Sequence, residues 1–274
     1  IESVGDNVTK FKAGDLVMAL SKHGSYATHV CSIEDLVMPL PNEFSFEEGA
    51  AFPVIYLTAY MMMFDLGNLQ KDDTILIHGA GGGVGTAAIQ LAQISGSNII
   101  GTSSKWKHEK LHSMGVEKCI DYNKEDIREQ VMEFTNNRGV DLIIDPIGGQ
   151  NWKISYACLA PLGKMIIFGD QNFVKSESFN FFTLMKEIFS MPKFKPMDLM
   201  SKNKSVMGYH LGKLSGAEDK IQKAATELLK LAKARKIKPI IDKIFPYTDA
   251  PKAHAHIQNR KNFGKVLLDF NEKF

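Results

Sequence analysis

The chain has 274 residues, a formal charge of +2, 44% hydrophobic and 23% charged residues. That is the profile of a soluble globular protein of one large or two ordinary domains, and so small a net charge sets up no field to steer it to nucleic acid. Its three cysteines, Cys31, Cys119 and Cys158, are far apart and show no CxxC spacing. This excludes a disulfide framework and a cysteine-rich zinc module, and suits a reducing, cytoplasmic compartment.

Residues 1–40 are short apolar segments ("FKAGDLVMAL", "GSYATHVCS", "DLVMPLP") broken by Gly, Asp and Ser, which predicts a β-rich region. The apolar stretch 49–64, "GAAFPVIYLTAYMMMF", is interrupted by Pro53 and Thr58 and is shorter than the roughly 20 residues a bilayer requires. It reads as a strand or turn entering a buried helix. From about 58 strands and helices alternate. "TILIHG" (74–79) predicts a strand, "VGTAAIQLAQIS" (84–95) a helix and "NIIGTSS" (98–104) a strand. "KHEKLHSMG" (107–115) predicts a helix, "KCIDY" (118–122) a strand and "EDIREQVMEFTN" (125–136) a helix. "VDLIIDPIG" (140–148) and "KMIIFGD" (164–170) are two further strands around "NWKISYACLAPLG" (151–163). Such alternation means βαβ units and a parallel sheet. An amphipathic helix over 216–235, a strand near 240–246, a helix near 249–259 and a strand "GKVLLDF" (264–270) complete the chain.

"HGAGGGVGTAA" (78–88) joins the first of these strands to its helix and reads Ala80-x-Gly82-x-x-Gly85. Residues without Cβ let a backbone approach a pyrophosphate, and a helix N-terminus offers unpaired N–H groups. Dinucleotide binding is therefore expected, a tight packing turn being the alternative. The next strand would carry an acidic residue for an NAD ribose. Ser103 and Ser104 fill that place, with Lys105 and Lys107 following. Hydroxyls and a cation suit the 2′-phosphate of NADPH. A solvated helix start is the other reading of the lysines.

Together with "EGAAFPVIYLTAY" (48–60) and "GKMIIFG" (163–169), these stretches resemble the medium-chain dehydrogenase/reductase superfamily along the whole chain. Within it the chain is similar to the zinc-free quinone oxidoreductase, zeta-crystallin-like class. "GNLQ", "SKWKHEKL", "GYHLG" and "KIKPIIDKIFP" resemble its vesicle amine transport (synaptic vesicle membrane protein) homologue branch. The resemblance implies an α/β fold, a Rossmann-like doubly wound parallel sheet with a partial GroES-like β-rich catalytic domain. Residues 1–57 and 236–274 would form the catalytic domain and 58–235 the NADP-binding domain. The sequence opens mid-pattern, without Met, so the family's amino-terminal portion is expected to precede Ile1.

The resemblance also implies a site. Zinc-dependent members have a cysteine ligand four residues before Thr58, where this chain has Val54, and a four-cysteine lobe where it has only "MALSKH". No metal is expected, since Val offers no ligand atom, and His254 and His256, two apart on a helix, are expected to be solvated. Tyr56 would donate to a substrate oxygen or form an aromatic wall. Thr58 would bond the cofactor, and Gly82, Gly83 and Val84 would cradle its pyrophosphate. Ser103, Lys107 and Tyr122 would surround the 2′-phosphate. Gly148, Phe168 and Gly169 would line the cofactor from strand ends, with Asn262 a further candidate. The implied activity is NADPH-dependent hydride transfer to quinones or enones. The alternative is a cofactor-binding lipid- or membrane-associated protein with little turnover. A homodimer is expected. The Phe-, Met- and Lys-rich segment 179–204 would be a substrate lid or dimer surface, a peripheral contact with vesicle or mitochondrial outer membranes, or a plain loop.

Overall fold

The computed structural model describes residues 1–21, 23–169 and 191–270. The chain divides into two compact units, Ile1–Leu57 with Leu214–Phe274, and Thr58–Lys213.

The second unit is built on a six-stranded parallel sheet. Its strands are β3 (Thr74–His78), β4 (Asn98–Ser103), β5 (Lys118–Asp121), β6 (Val140–Asp145), β7 (Leu159–Ile167) and β8 (Ser205–Gly208). They lie in the order β5-β4-β3-β6-β7-β8. The order reverses between β3 and β6, so a crevice opens beyond their carboxyl ends, where doubly wound sheets bind ligands. The inner strands carry buried apolar runs, Ile75–Ile77 in β3, Ile99–Ile100 in β4, Leu142–Ile144 in β6 and Met165–Ile166 in β7, as a sheet covered on both faces requires. Leu76, Ile100, Ile120, Val140, Ile143, Leu159 and Met165 join five neighbouring strands in a single core cluster. Burying each contributes about 1.5–3 kcal/mol.

Crossover helices cover the sheet: α2 (Gly83–Ser95), α3 (His108–Ser113), α4 (Ile127–Phe134) and α5 (Asn151–Cys158). A further helix, α6 (Pro196–Lys202), precedes β8. Gly85 of α2 is forced by contact: a Cβ there would stand 2.5 Å from the Gly79 carbonyl oxygen. The helix therefore packs directly on the loop that begins it.

The first unit pairs β1 (Val17–Ala19) with β2 (Val37–Pro39) antiparallel, and β9 (Ile241–Pro246) with β10 (Lys265–Asp269) in parallel. It also holds α7 (Glu218–Lys233) and α8 (Ala250–Gln258). Among the described residues of 1–40, the β-rich expectation is met by two three-residue strands. Tyr26, Val30 and Ile33 are more than half or about half exposed, so the intervening apolar residues have no covering layer.

Two further expectations are corrected. The stretch 49–64 contains no strand: α1 (Phe46–Tyr60) runs straight into a wider π-helical segment, Met61–Leu66. Ser45 and Glu48 start α1 with reciprocal side-chain caps at 3.2 and 3.0 Å. Helix Phe46–Leu66 is long and apolar enough to cross a membrane by length and composition, but 67% of its apolar window is buried inside the protein, as in a core helix. The second correction is the domain boundary. It falls at Leu214 rather than 236, because the sheet ends with β8 and α7 belongs with the first unit.

Candidate dinucleotide site

The glycine loop runs from the carboxyl end of β3 into α2. Gly79 has φ +64°, a left-handed conformation that favours glycine. Gly82 is the N-cap of α2 and offers no side-chain acceptor, and the first turn holds no acidic residue. By contrast, the Asp126 side chain accepts from Glu129 N at the start of α4. The first N–H groups of α2 are thus left for a ligand, and a helix N-terminus favours an anion. Gly82, Gly83 and Val84 stand together at this terminus.

The ends of β4 and β5 form the neighbouring patch. Ser103 is buried at the last position of β4 and donates to the Ser104 carbonyl at 3.2 Å. Ser104 Oγ lies 2.8 Å from the Tyr122 hydroxyl, across the two strands. Lys107 N–H donates to the Ser104 carbonyl at 3.0 Å. Its side chain is 7% exposed, with Nζ 5.1 Å from the centroid of the Trp106 ring. The solvated reading of Lys107 is therefore corrected: the short turn Lys105–Lys107 folds it inward. Burial, and secondarily Lys105, lowers the pKa of the adjacent His108, whose buried Nε2 has no hydrogen-bond partner.

Gly148 and Phe168–Gly169 lie beyond β6 and β7. Gly148 has φ +91°, and Phe168 N–H donates to the Asp145 carbonyl at 3.3 Å. Thr58, near the end of α1, is buried in the same unit. The predicted cofactor residues of this unit thus fall at the carboxyl ends of its strands or in the turns and helix start that follow them, apart from Thr58 on α1.

Val54, Tyr56 and Asn262 belong to the first unit. Val54 is 47% exposed, whereas Tyr56 is 0% exposed and stacks on Phe52 at 4.6 Å. Asn262 Nδ2 donates to the Gly264 carbonyl at 2.9 Å. His256, expected to be solvated, is instead half-buried and 2.7 Å from Asp242 Oδ2.

Sequence reading missed a buried polar network behind the glycine loop. His78 Nδ1 is 3.1 Å from Thr102 Oγ1 and His78 Nε2 is 3.0 Å from Ser155 Oγ. Ser155 Oγ donates to Asp145 Oδ2 at 2.6 Å. The available signal was a charged residue closing the apolar strand "VDLIID", with Asn151 and Ser155 one turn apart after it.

The profile of the zinc-binding dehydrogenase family matches residues 83–233, more than half of the chain. The chain belongs to the zinc-binding dehydrogenase family. It is a member of the medium-chain dehydrogenase/reductase superfamily, a superfamily of oxidoreductases. Among relatives, the synaptic vesicle membrane protein VAT-1 homolog of Danio rerio is 37% identical over 98% of this chain and 55% of its own length. The Homo sapiens homolog is 36% identical over 97% and 68%. This chain thus spans only about half to two-thirds of these relatives. Among solved structures, the human VAT-1 homolog-like protein superposes with TM-score 0.84 at 29% identity, covering 100% of this chain and 77% of that one. The Escherichia coli quinone oxidoreductase complexed with NADPH gives 0.84 at 29%, covering 97% and 78%. The CurK enoyl reductase gives 0.82 at 27%, covering 98% and 76%.

Val54, which stands where zinc-dependent members place a cysteine ligand, offers the zinc of the family's name no donor atom. A thiolate role does not suit the two buried cysteines: burial pushes the Cys119 thiol up to about 11 and the Cys158 thiol up to about 12.

Proposed function

We propose that the chain binds NADPH and reduces quinones or enones by hydride transfer, without zinc. The observation that carries the reading is the end of β4. Ser103, Ser104 and the inward-folded Lys107 stand where an NAD site places a carboxylate, with Tyr122 hydrogen-bonded to Ser104. A cation and hydroxyls suit a 2′-phosphate and give an unphosphorylated ribose no matching advantage. Gly82, Gly83 and Val84 would hold the pyrophosphate, with Gly148, Phe168 and Gly169 along the nicotinamide half and Thr58 and Asn262 as further contacts. The cofactor, when bound, supplies the hydride. The chain's own part is to orient it and exclude water. Tyr56 is proposed as a wall of that environment, consistent with its stacking on Phe52. The E. coli neighbour holding NADPH and the enoyl reductase neighbour support the same chemistry.

The test is steady-state oxidation of NADPH by the 274-residue chain with a panel of quinones and enones. Turnover that is preserved under chelation and absent with saturated ketones supports the reading. Binding without turnover on any acceptor contradicts the enzymatic part.

A second reading, a lipid- or membrane-associated protein of low turnover, draws on two observations. The relatives are named synaptic vesicle membrane proteins. A cavity of about 330 Å³ beside α6 is lined by Lys153, Lys193, Lys195 and Lys202 with Tyr156 and Phe194. Residues 179–190 of the segment singled out in sequence lie outside the described residues. This reading places the chain in the cytoplasm and at vesicle or mitochondrial outer membranes. Each lysine near an anionic surface would contribute about 1 kcal/mol. Salt-sensitive sedimentation with anionic but not neutral vesicles would favour it, and indifference to both would remove it. A homodimer is part of the proposal: β8 ends the sheet among the described strands and leaves an edge available for a second copy.

A further inference from the structure

The buried network behind the glycine loop has a fixed direction. Asp145, a carboxylate, only accepts, so Ser155 Oγ donates its one proton to Oδ2 at 2.6 Å. Ser155 must therefore accept from His78, which puts the imidazole proton on Nε2. His78 Nδ1 is then bare and accepts from Thr102 Oγ1–H at 3.1 Å. Thr102 Oγ1 in turn accepts from the N–H of Gly79 at 3.4 Å, and its carbonyl accepts from Ala80 N–H at 3.0 Å. With the imidazole neutral, the form that its burial favours, the chain runs Gly79, Thr102, His78, Ser155, Asp145 with one donor at each step. All four side chains are no more than 2% exposed.

Its two ends are loops. One is the start of the glycine loop. The other is the turn after β6, where Asp145 Oδ1 accepts from Ile147 N–H at 2.7 Å and Oδ2 also accepts from Asn151 Nδ2 at 2.8 Å. That turn leads into Gly148 and Gly149, both at positive φ. Pro146 lies between them and the glycine loop: a Cβ built on Gly79 would stand 3.8 Å from its Cγ.

We infer that this chain of hydrogen bonds is a brace that sets the glycine loop against the 146–149 turn, making His78, Ser155 and Thr102 positioning residues for a dinucleotide held between them. The inference rests on the cofactor reading proposed above. Buried polar groups left without a partner are costly, so the brace holds one geometry rather than many. It adds no contact to the ligand. Its effect is to keep the loop amides where the phosphates need them.

Two cuts at different points test it, both in the 274-residue chain. Ser155→Ala removes the link between His78 and Asp145. Thr102→Val removes the hydroxyl at the other end with the shape kept, and Thr102→Ser restores it. The expected result is NADPH binding weakened about tenfold by Ser155→Ala and by Thr102→Val, with Thr102→Ser near the parent. The double variant should be no worse than the worse single one, because either cut opens the same chain. Amide exchange in the ligand-free protein should rise at 79–82 and 146–149 together. The ¹⁵N signals of His78 should report a neutral Nε2–H tautomer, lost in Ser155→Ala. Folded variants with parental NADPH affinity and unchanged exchange at both loops would overturn the inference. Exchange raised at both loops by either cut, in a protein whose parent binds no NADPH, would support the brace and contradict the cofactor reading alone.

Discussion

Gly85 and Gly83 are two positions apart and do different work. A Cβ on Gly85 would meet three backbone atoms of Gly79 and Ala80 at 2.5–2.7 Å, none of which can rotate away. Gly85→Ala should therefore lower stability by about 1–3 kcal/mol, read as a drop in melting temperature. Gly83 is the first residue of α2, at the uncapped end. Gly83→Val should abolish NADPH binding while the circular dichroism spectrum stays that of the parent, and unchanged affinity by calorimetry would reduce the loop to a packing turn. His78 sets a pH dependence. Burial lowers its pKa from the ordinary 6.5, with Asp145 opposing in part. Below about pH 6.5 the unfolded chain then binds a proton that the folded chain refuses, so stability falls with falling pH. His108, lowered by burial and then by Lys105, acts in the same direction. The melting temperature should decline from pH 7 towards pH 5, and less steeply in His78→Gln. The residues of the candidate patch stand out in the sequence because strand ends followed by glycine or hydroxyl residues carry local chemistry. The brace does not, because Thr102 of β4, Asp145 of β6 and Ser155 of α5 meet His78 only once the sheet and its helix have assembled.

At the scale of elements, start signals decide what each helix end is for. The Asp126 side chain caps α4 at 2.9 Å, so Asp126→Ala should cost about 0.5–2 kcal/mol in a denaturant titration and leave cofactor affinity untouched. The corresponding position of α2, Gly82, has no cap to lose. Long strands such as "TILIH" and "VDLIID" were visible as apolar runs. β8 was not: "SVMG" is four residues long and follows a helix rather than a glycine turn, so only its pairing with β7 reveals it. The π-helical segment Met61–Leu66 escaped for another reason. Its widening shows in backbone bonds such as Gly67 N–H to the Met62 carbonyl at 2.8 Å, which side-chain periodicity does not encode. In 1–40 the punctuation was read correctly as short segments, but strand formation needs a partner, and among the described residues 17–19 and 37–39 find one in each other.

For the whole molecule, the α/β class followed from the alternation after residue 58, and the sheet order confirms the doubly wound form. The placement of α7 did not follow, since an amphipathic helix shows that it has a buried face but not which unit buries it. Membership of a family named for zinc makes metal dependence a direct question. Protein purified without added metal should contain no stoichiometric zinc, and a chelator should leave NADPH affinity unchanged. Affinity lost on chelation and restored by zinc would contradict the reading from Val54. The central claim is that the β4 end selects a 2′-phosphate, and calorimetric titration of the parent chain and Lys107→Ala with NADPH and NADH tests it most directly. The account predicts tighter binding of NADPH by the parent, a loss of about 1–3 kcal/mol for NADPH in the variant, and NADH barely changed. Equal affinity for the two cofactors in the parent, or equal weakening of both by the substitution, would contradict it.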